Sequence, residues 1–123
     1  MNLTPYFKSI IDQDTASVVI CNLAHEIIYM NPQAIANYHK WGGEALIGKS
    51  LMNCHNPKSK EVIEKVIAWF GKSKEHNRIH TFYNEKQAKD VYMIALRDEN
   101  GTLIGYYEKH EFHSPETMER YAF

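Results

Sequence analysis

At 123 residues, 44% of them apolar and 24% charged, the chain has the size and composition of one globular domain, with no room for a second core. Its formal net charge of −1 gives no electrostatic basis for nucleic-acid binding. No apolar run approaches the ~20 residues a membrane span needs, and MNLTPYFKSIIDQ lacks the basic flank and long apolar core of a signal peptide. A cytoplasmic protein is expected, with Cys21 and Cys54 as thiols rather than a disulfide.

Thr4-Pro5 reads as a helix start, with Thr4 as cap and Pro5 in the first turn. Phe7, Ile10 and Ile11 then share one face of that helix. Ser17 to Asn22 and Glu26 to Met30 are rich in Val, Ile and Tyr, and Leu23-Ala24-His25 joins them as a hairpin. Asn31-Pro32 pairs a cap with a first-turn proline and opens a short helix carrying Ile35 and Tyr38, which Gly42-Gly43 ends. Asn56-Pro57 repeats that start signal. Val62, Ile63, Val66, Ile67 and Phe70 then form an apolar stripe along a helix from Lys58, with Gly71 as its expected stop. Strands are expected at His76 to Tyr83, Asp90 to Leu96 and Thr102 to His110, the last two joined by the turn signal Asn100-Gly101. A polar tail, residues 114–123, has room for one helical turn after Pro115.

The order helix, two strands, short helices, long helix and three strands defines an α+β domain. The stretch CNLAHEIIYMNPQAIANYHKWGGEALIGKSLMNCHNPKS, Cys21 to Ser59, resembles the first half of a PAS sensor domain. The likeness runs from about Phe7 to Phe112. It implies a five-stranded antiparallel sheet with helices packed on one face, and residues divided into an N-terminal helix or cap (1–13), one PAS domain (14–113) and a tail (114–123). CHNPKSKEVIEKVIAWF, Cys54 to Phe70, is similar to the PAS type often attached to hemerythrin-like domains, as is the stretch from Ala95 to Gly105. Two departures stand out: Asn56 splits the usual His-Pro pair, and His110-Glu111-Phe112 replaces the Asp-Ile-Thr-like ending that links many PAS domains to an output domain. If these residues are the whole protein, its output lies on a separate partner.

The resemblance implies a sensory or signalling module that binds rather than catalyses. A small apolar or aromatic ligand is expected between the long helix and the last three strands. Val62, Ile63 and Val66 would supply the helix wall, and Cys54 or His55 a polar handle. Ile35, Tyr38 and Leu51 complete the candidate helical side, and Phe82, Tyr92, Ile94 and Tyr106 the sheet side, with Tyr92, Ile94 and Leu96 sharing a face. The alternative is a ligand-free interaction module in which Phe7, Ile10 and Ile11 form a homodimer or dock an output protein. A third reading is a heme-based redox or gas sensor with His55 or Cys54 on the iron. Flavin is disfavoured, because the residues after Cys54 are His55, Asn56, Pro57 and Lys58, not the Arg-containing motif of light-sensing relatives. No metal site is expected: His76 and His80, four apart on a strand, stand roughly 13 Å from each other, His110 and His113 fall at a frayed strand end, and no Cys-x-x-Cys is present. The chain holds no G-x-S-x-G, P-loop or H-E-x-x-H, and His55 beside Cys54 lacks an orienting third group, so no catalytic residue is assigned.

Overall fold

The computed structural model describes residues 1–121, apart from the side chain of Cys54. Its elements are α1 (Thr4–Asp12), β1 (Ser17–Asn22), β2 (Ile27–Met30), α2 (Pro32–Asn37), α3 (Pro57–Lys72), β3 (Arg78–Asn84), β4 (Lys89–Arg97) and β5 (Leu103–Phe112). Three short turns of tighter helix, His39–Trp41, Gly43–Leu46 and Leu51–Cys54, join α2 to α3. The strands form one antiparallel sheet in the order β2-β1-β5-β4-β3, so the last strand in sequence is the central one. This is the expected α+β arrangement of five antiparallel strands with helices.

The core lies between the inner sheet face and the helices. Val19 and Cys21 of β1, Ile27 and Met30 of β2, Met93 of β4 and Tyr106 of β5 pack with Ala34, Leu46, Leu51, Ile63, Val66 and Phe70. The stripe read from the sequence faces inward through Ile63, Val66 and Phe70, while Val62 stays partly exposed at its edge.

Asn31 joins three elements at one buried point. Its side-chain oxygen accepts from Val18 N (3.0 Å) and Ala34 N (2.9 Å), capping α2 and extending β1. Its amide nitrogen donates to the carbonyls of Ile11 and Ala16, both at 2.9 Å. A buried amide with its oxygen and nitrogen so fully engaged is favourable, because every bond left unmade there costs free energy. The Tyr29 hydroxyl donates to Asp12 and adds a second tie at the same end of α1. The rest of α1 has no buried residue, and Phe7 and Ile10 are 57% and 70% exposed.

Several local expectations need correction. Thr4 lies inside α1 rather than capping it, and Asn2 accepts the Thr4 N–H at 3.0 Å. Gly71 does not stop α3, which runs on to Lys72. The end is closed from the sheet instead: Arg97 donates to the carbonyls of Phe70 (2.8 Å), Ser73 (3.0 Å) and His76 (3.2 Å), placing a cation where helix carbonyls lack partners. In the β4–β5 hairpin only Gly101 takes positive φ (80°), and Asp98 holds the loop by accepting from Asn100 N and Thr102 N. Asn100-Gly101 thus lies within the hairpin loop as its turn signal implies, with the left-handed conformation at the glycine alone. His110 is not at a frayed end: β5 continues to Phe112 and His110 is buried within it. No helical turn follows Pro115 among the described residues of the tail, and Ala122 and Phe123 lie outside them.

Asn31→Ala should lower stability by roughly 3 kcal/mol, since it strands buried backbone donors and acceptors on three elements. Urea unfolding of the two proteins measures this, and a loss within about 0.5 kcal/mol, the range of ordinary surface changes, would contradict it.

Candidate functional site

The central strand brings a carboxylate into the interior. Tyr106, Glu108 and His110 alternate along β5 and point to the same face, which is the buried one. Glu108 is paired in register with Val19 on one side and Met93 on the other, and is 5% exposed. A charge in that position requires partners, and three elements supply them. The Tyr38 hydroxyl, at the end of α2, donates to Glu108 Oε1 at 2.8 Å. His110, two residues along β5, places Nε2 2.7 Å from the same oxygen. Asn37 Nδ2 lies 3.4 Å from His110 Nδ1, so the Asn37 amide donates to Nδ1 and the His110 Nε2–H is left for Glu108. His55 approaches the second oxygen, with Nε2 3.6 Å from Oε2.

The local sequence explains where His55 stands. It closes the Leu51–Cys54 turn in extended backbone, and Asn56 then starts α3 by accepting the Ser59 N–H at 2.8 Å. His55 Nδ1 lies 2.9 Å from the Leu51 carbonyl, an acceptor only, so Nδ1 carries a proton. The opposite nitrogen then faces a carboxylate favourably only if it too is protonated, which makes His55 an imidazolium. Burial pushes its pKa down, and Lys60 adds to that. The attraction of Glu108 and the bond to Leu51 outweigh both and hold it above the ordinary 6.5. Burial by itself would push Glu108 up, but His110 and His55 pull it well below the usual carboxylate range.

Beside this cluster lies a cavity of about 520 Å³. Ser59, Val62 and Ile63 of α3 form one wall, and Thr81, Phe82, Val91 and Met93 of β3 and β4 the other. Tyr38, His55, Glu108 and His110 supply its polar side, and the exposed Asn56 and Lys58 lie at its rim.

The structure gathers five of the residues singled out from the sequence around this cavity: Tyr38, His55, Val62, Ile63 and Phe82. It places the others elsewhere. Leu51 and Val66 are buried in the core, and Ile35 packs against it. Tyr106 is buried with its hydroxyl 2.7 Å from His25 Nδ1, and burial drives its pKa far above the ordinary tyrosine value. Tyr92, Ile94 and Leu96 lie on the outer face, a correction of one residue of phase: Val91 and Met93 point inward in their place. The Leu51–Cys54 turn holds Cys54 next to His55, but its side chain lies outside the described residues.

Glu108, His110, Val91 and Met93 were not anticipated. A usable signal existed for the first two: Tyr106-x-Glu108-x-His110 puts polar groups in phase with a strand's buried face. Three further histidines have other partners. His76 stacks on Trp69 at 4.0 Å, and His80 and His113 both pair with Asp90. Among the described residues no group of three His, Cys, Asp or Glu side chains is placed to hold a metal ion.

The family model for the PAS domain matches residues 15–108, and the chain belongs to that family. Solved structures share the fold at low identity. The PAS domain of a Colwellia psychrerythraea protein is 14% identical, with a TM-score of 0.68 over 90% of this chain and 97% of that one. The C-terminal domain of a Streptococcus mutans protein is 20% identical, with a TM-score of 0.66 over 86% and 81%. A sensory box sensor histidine kinase from Vibrio cholerae is 12% identical, with a TM-score of 0.59 over 88% and 87%. No curated protein sequence matches the chain.

The His55–Glu108 pair sets a pH window. His55 has a folded value above 6.5, so its contribution to stability is full below 6.5 and is lost as pH rises through the folded value. Glu108 has a folded value below 4.5, so its contribution is present above 4.5 and is lost as pH falls through the folded value. The pair therefore supports the fold most between 4.5 and 6.5. Urea midpoints should fall from mildly acidic to mildly alkaline pH, and His55→Gln should flatten that fall. An equally steep fall in the variant would assign it to other groups.

Proposed function

We propose that this PAS domain is a sensory module whose signal begins when a small, largely apolar or aromatic ligand enters the cavity between α3 and the sheet. The observation that carries this reading is the cavity itself. Its volume of about 520 Å³ lies in the range of ligand pockets, roughly 300–1,000 Å³. Its walls are mainly apolar, with Ser59 and Thr81 among them, and the ionisable side chains of Tyr38, His55, Glu108 and His110 are gathered on one side, as in sites that orient a ligand. A ligand there touches both α3 and the central strands, so it can favour one packing of helix on sheet over another, and that shift in population is the signal.

The output belongs to another domain or protein. The likeness of Cys54 to Phe70 to the PAS type joined to hemerythrin-like domains supports that division. No described helix is long and apolar enough to cross a membrane, and a cytoplasmic location suits this reading. Heme finds less support. An imidazole binds iron through an unprotonated nitrogen, whereas His55 has one nitrogen committed to Leu51 and the other facing Glu108, and His110 is engaged at both nitrogens. Catalysis through Cys54 predicts a thiol acidity well below the ordinary ~8.5, and an ordinary pH profile of alkylation would exclude it.

A native mass spectrum of the protein purified without added cofactor is the first test, with Val62→Trp as the companion variant. Val62 is partly exposed on the cavity wall, so an indole there fills space without disturbing the core. A mass above the polypeptide that is present in the wild type, released on denaturation and lost in the variant is the expected result. A clean polypeptide mass that resists loading with apolar compounds counts against the ligand.

The second reading, a homodimer through α1, rests on the exposed Phe7 and Ile10 of a helix with no buried residue. Ile10→Ser with Ile11→Ser should then convert a dimer to a monomer in sedimentation. An unchanged mass would remove this reading.

A further inference from the structure

The polar side of the cavity is more specific than its apolar walls. Glu108 Oε1 already accepts two hydrogen bonds, from Tyr38 at 2.8 Å and from His110 at 2.7 Å. No hydrogen bond from a described residue reaches Oε2: His55 Nε2 stands 3.6 Å away, close enough for charge attraction but too far for a hydrogen bond. His55 is in the complementary position. Its Nδ1–H is taken by the Leu51 carbonyl, and its Nε2–H meets no acceptor at hydrogen-bonding distance among the described residues. An acceptor and a donor therefore stand side by side, 3.6 Å apart, on residues that both line the cavity. Each is a charged group, for which an unmade hydrogen bond is most costly.

The charges narrow the choice further. An anionic ligand would meet the carboxylate of Glu108, the one carboxylate on the wall among the described residues. A cationic ligand would meet the imidazolium of His55 and pass Lys58 at the rim. A neutral molecule with a dipolar edge meets neither penalty, because a paired carboxylate and imidazolium present equal and opposite charge.

We propose that the cavity takes a neutral, flat, mainly apolar ligand with a hydrogen-bond donor and an acceptor on neighbouring atoms, as in a lactam or cyclic imide. The donor binds Glu108 Oε2 and the acceptor receives the His55 Nε2–H. This assignment rests on the reading of the cavity as a ligand site. Tyr38 and His110 are positioning residues, which hold Glu108 in place through its other oxygen and leave Oε2 for the ligand.

Four two-ring probes of nearly equal size separate the possibilities in calorimetric titrations at neutral pH. Carbostyril carries the lactam edge, N-methylcarbostyril has lost the donor, quinoline keeps only an acceptor, and naphthoate is an anion. Carbostyril should bind about tenfold or more tighter than N-methylcarbostyril or quinoline, the value of a hydrogen bond to a charged group, and naphthoate should bind most weakly. His55→Leu should weaken carbostyril and quinoline alike by several fold, while the preference for carbostyril, set by its donor to Glu108, remains. If that variant does not fold, the ranking on the wild type decides alone. Equal binding of carbostyril, N-methylcarbostyril and quinoline overturns the lactam assignment but leaves a ligand cavity. Tightest binding of naphthoate overturns it also. Binding of none of the four overturns both this assignment and the cavity reading beneath it.

Discussion

A carboxylate in the middle of the central strand constrains everything around it. Glu108 sits between Val19 and Met93, on the face that packs against the helices. Water cannot solvate it fully there, so the protein must supply donors or pay several kcal/mol for a bare buried charge. Two donors and a neighbouring cation come from three separate parts of the chain: the hydroxyl of Tyr38 after α2, the imidazole N–H of His110 on the strand itself, and the charge of His55 before α3. Glu108 thus sets where the α2 end and the start of α3 stand relative to the sheet. It also keeps that region from closing as a purely apolar core would.

Stability alone does not explain such a residue. A buried ion pair often contributes no more than apolar side chains of the same volume, and removing one partner of the pair is costly. An apolar side chain at position 108 would join Met93 and Val19 in an ordinary core. The carboxylate becomes intelligible where its charge and its second oxygen are used, and perturbed ionisable groups next to a cavity are characteristic of functional sites. The frame around it is built from more economical polar devices, each fully engaged. Asn31 uses its side-chain oxygen and nitrogen to hold α1, β1 and α2 together. Arg97 reaches from β4 to three carbonyls beyond and at the end of α3, and donates to Asn77 as well. These two residues fix opposite ends of the helical layer, and Glu108 and the cavity lie between them.

The helices and hairpins were legible because their signals are local. Asn-Pro appears twice, at Asn31-Pro32 and Asn56-Pro57, and each time the asparagine side chain caps the helix that follows. The stripe of α3 and the two β1 and β2 segments were readable for the same reason, as periodicities within a few residues. The phase of β4 was not. From Val91 to Leu96 every residue is apolar or aromatic, so alternation has no polar members to mark the outer face. Only pairing with β5 decides it: Met93 stands opposite Glu108, and Ile94 opposite Tyr107. The end of α3 was misplaced because its cap is Arg97, a residue 24 positions beyond Ser73, and no local pattern records that contact. The partnership of His55 with Glu108 is equally non-local. His55 could be suspected from its place before a helix, but its protonation state depends on a carboxylate 53 residues away, by the difference of their numbers.

The position of His55 decides how occupancy of the cavity could be transmitted. It belongs to the turn that launches α3, and its Nδ1 is tied to the Leu51 carbonyl in the preceding turn. Its Nε2 faces the central strand without closing on it. A group bound between Nε2 and Glu108 therefore acts on two rigid bodies at once, the start of a sixteen-residue helix and the middle of the sheet. On the proposed reading, the ligand replaces a long-range attraction by two short, directional bonds. The helix start then has one preferred distance from β5 when the site is filled, and a wider range when it is not. That difference in distance is what a neighbouring domain can read, because α3 is stiff along its length and its far end is held by Arg97 on β4, the strand beside Glu108. The buried carboxylate is therefore both the anchor of the fold and the point at which a ligand would gain leverage over it.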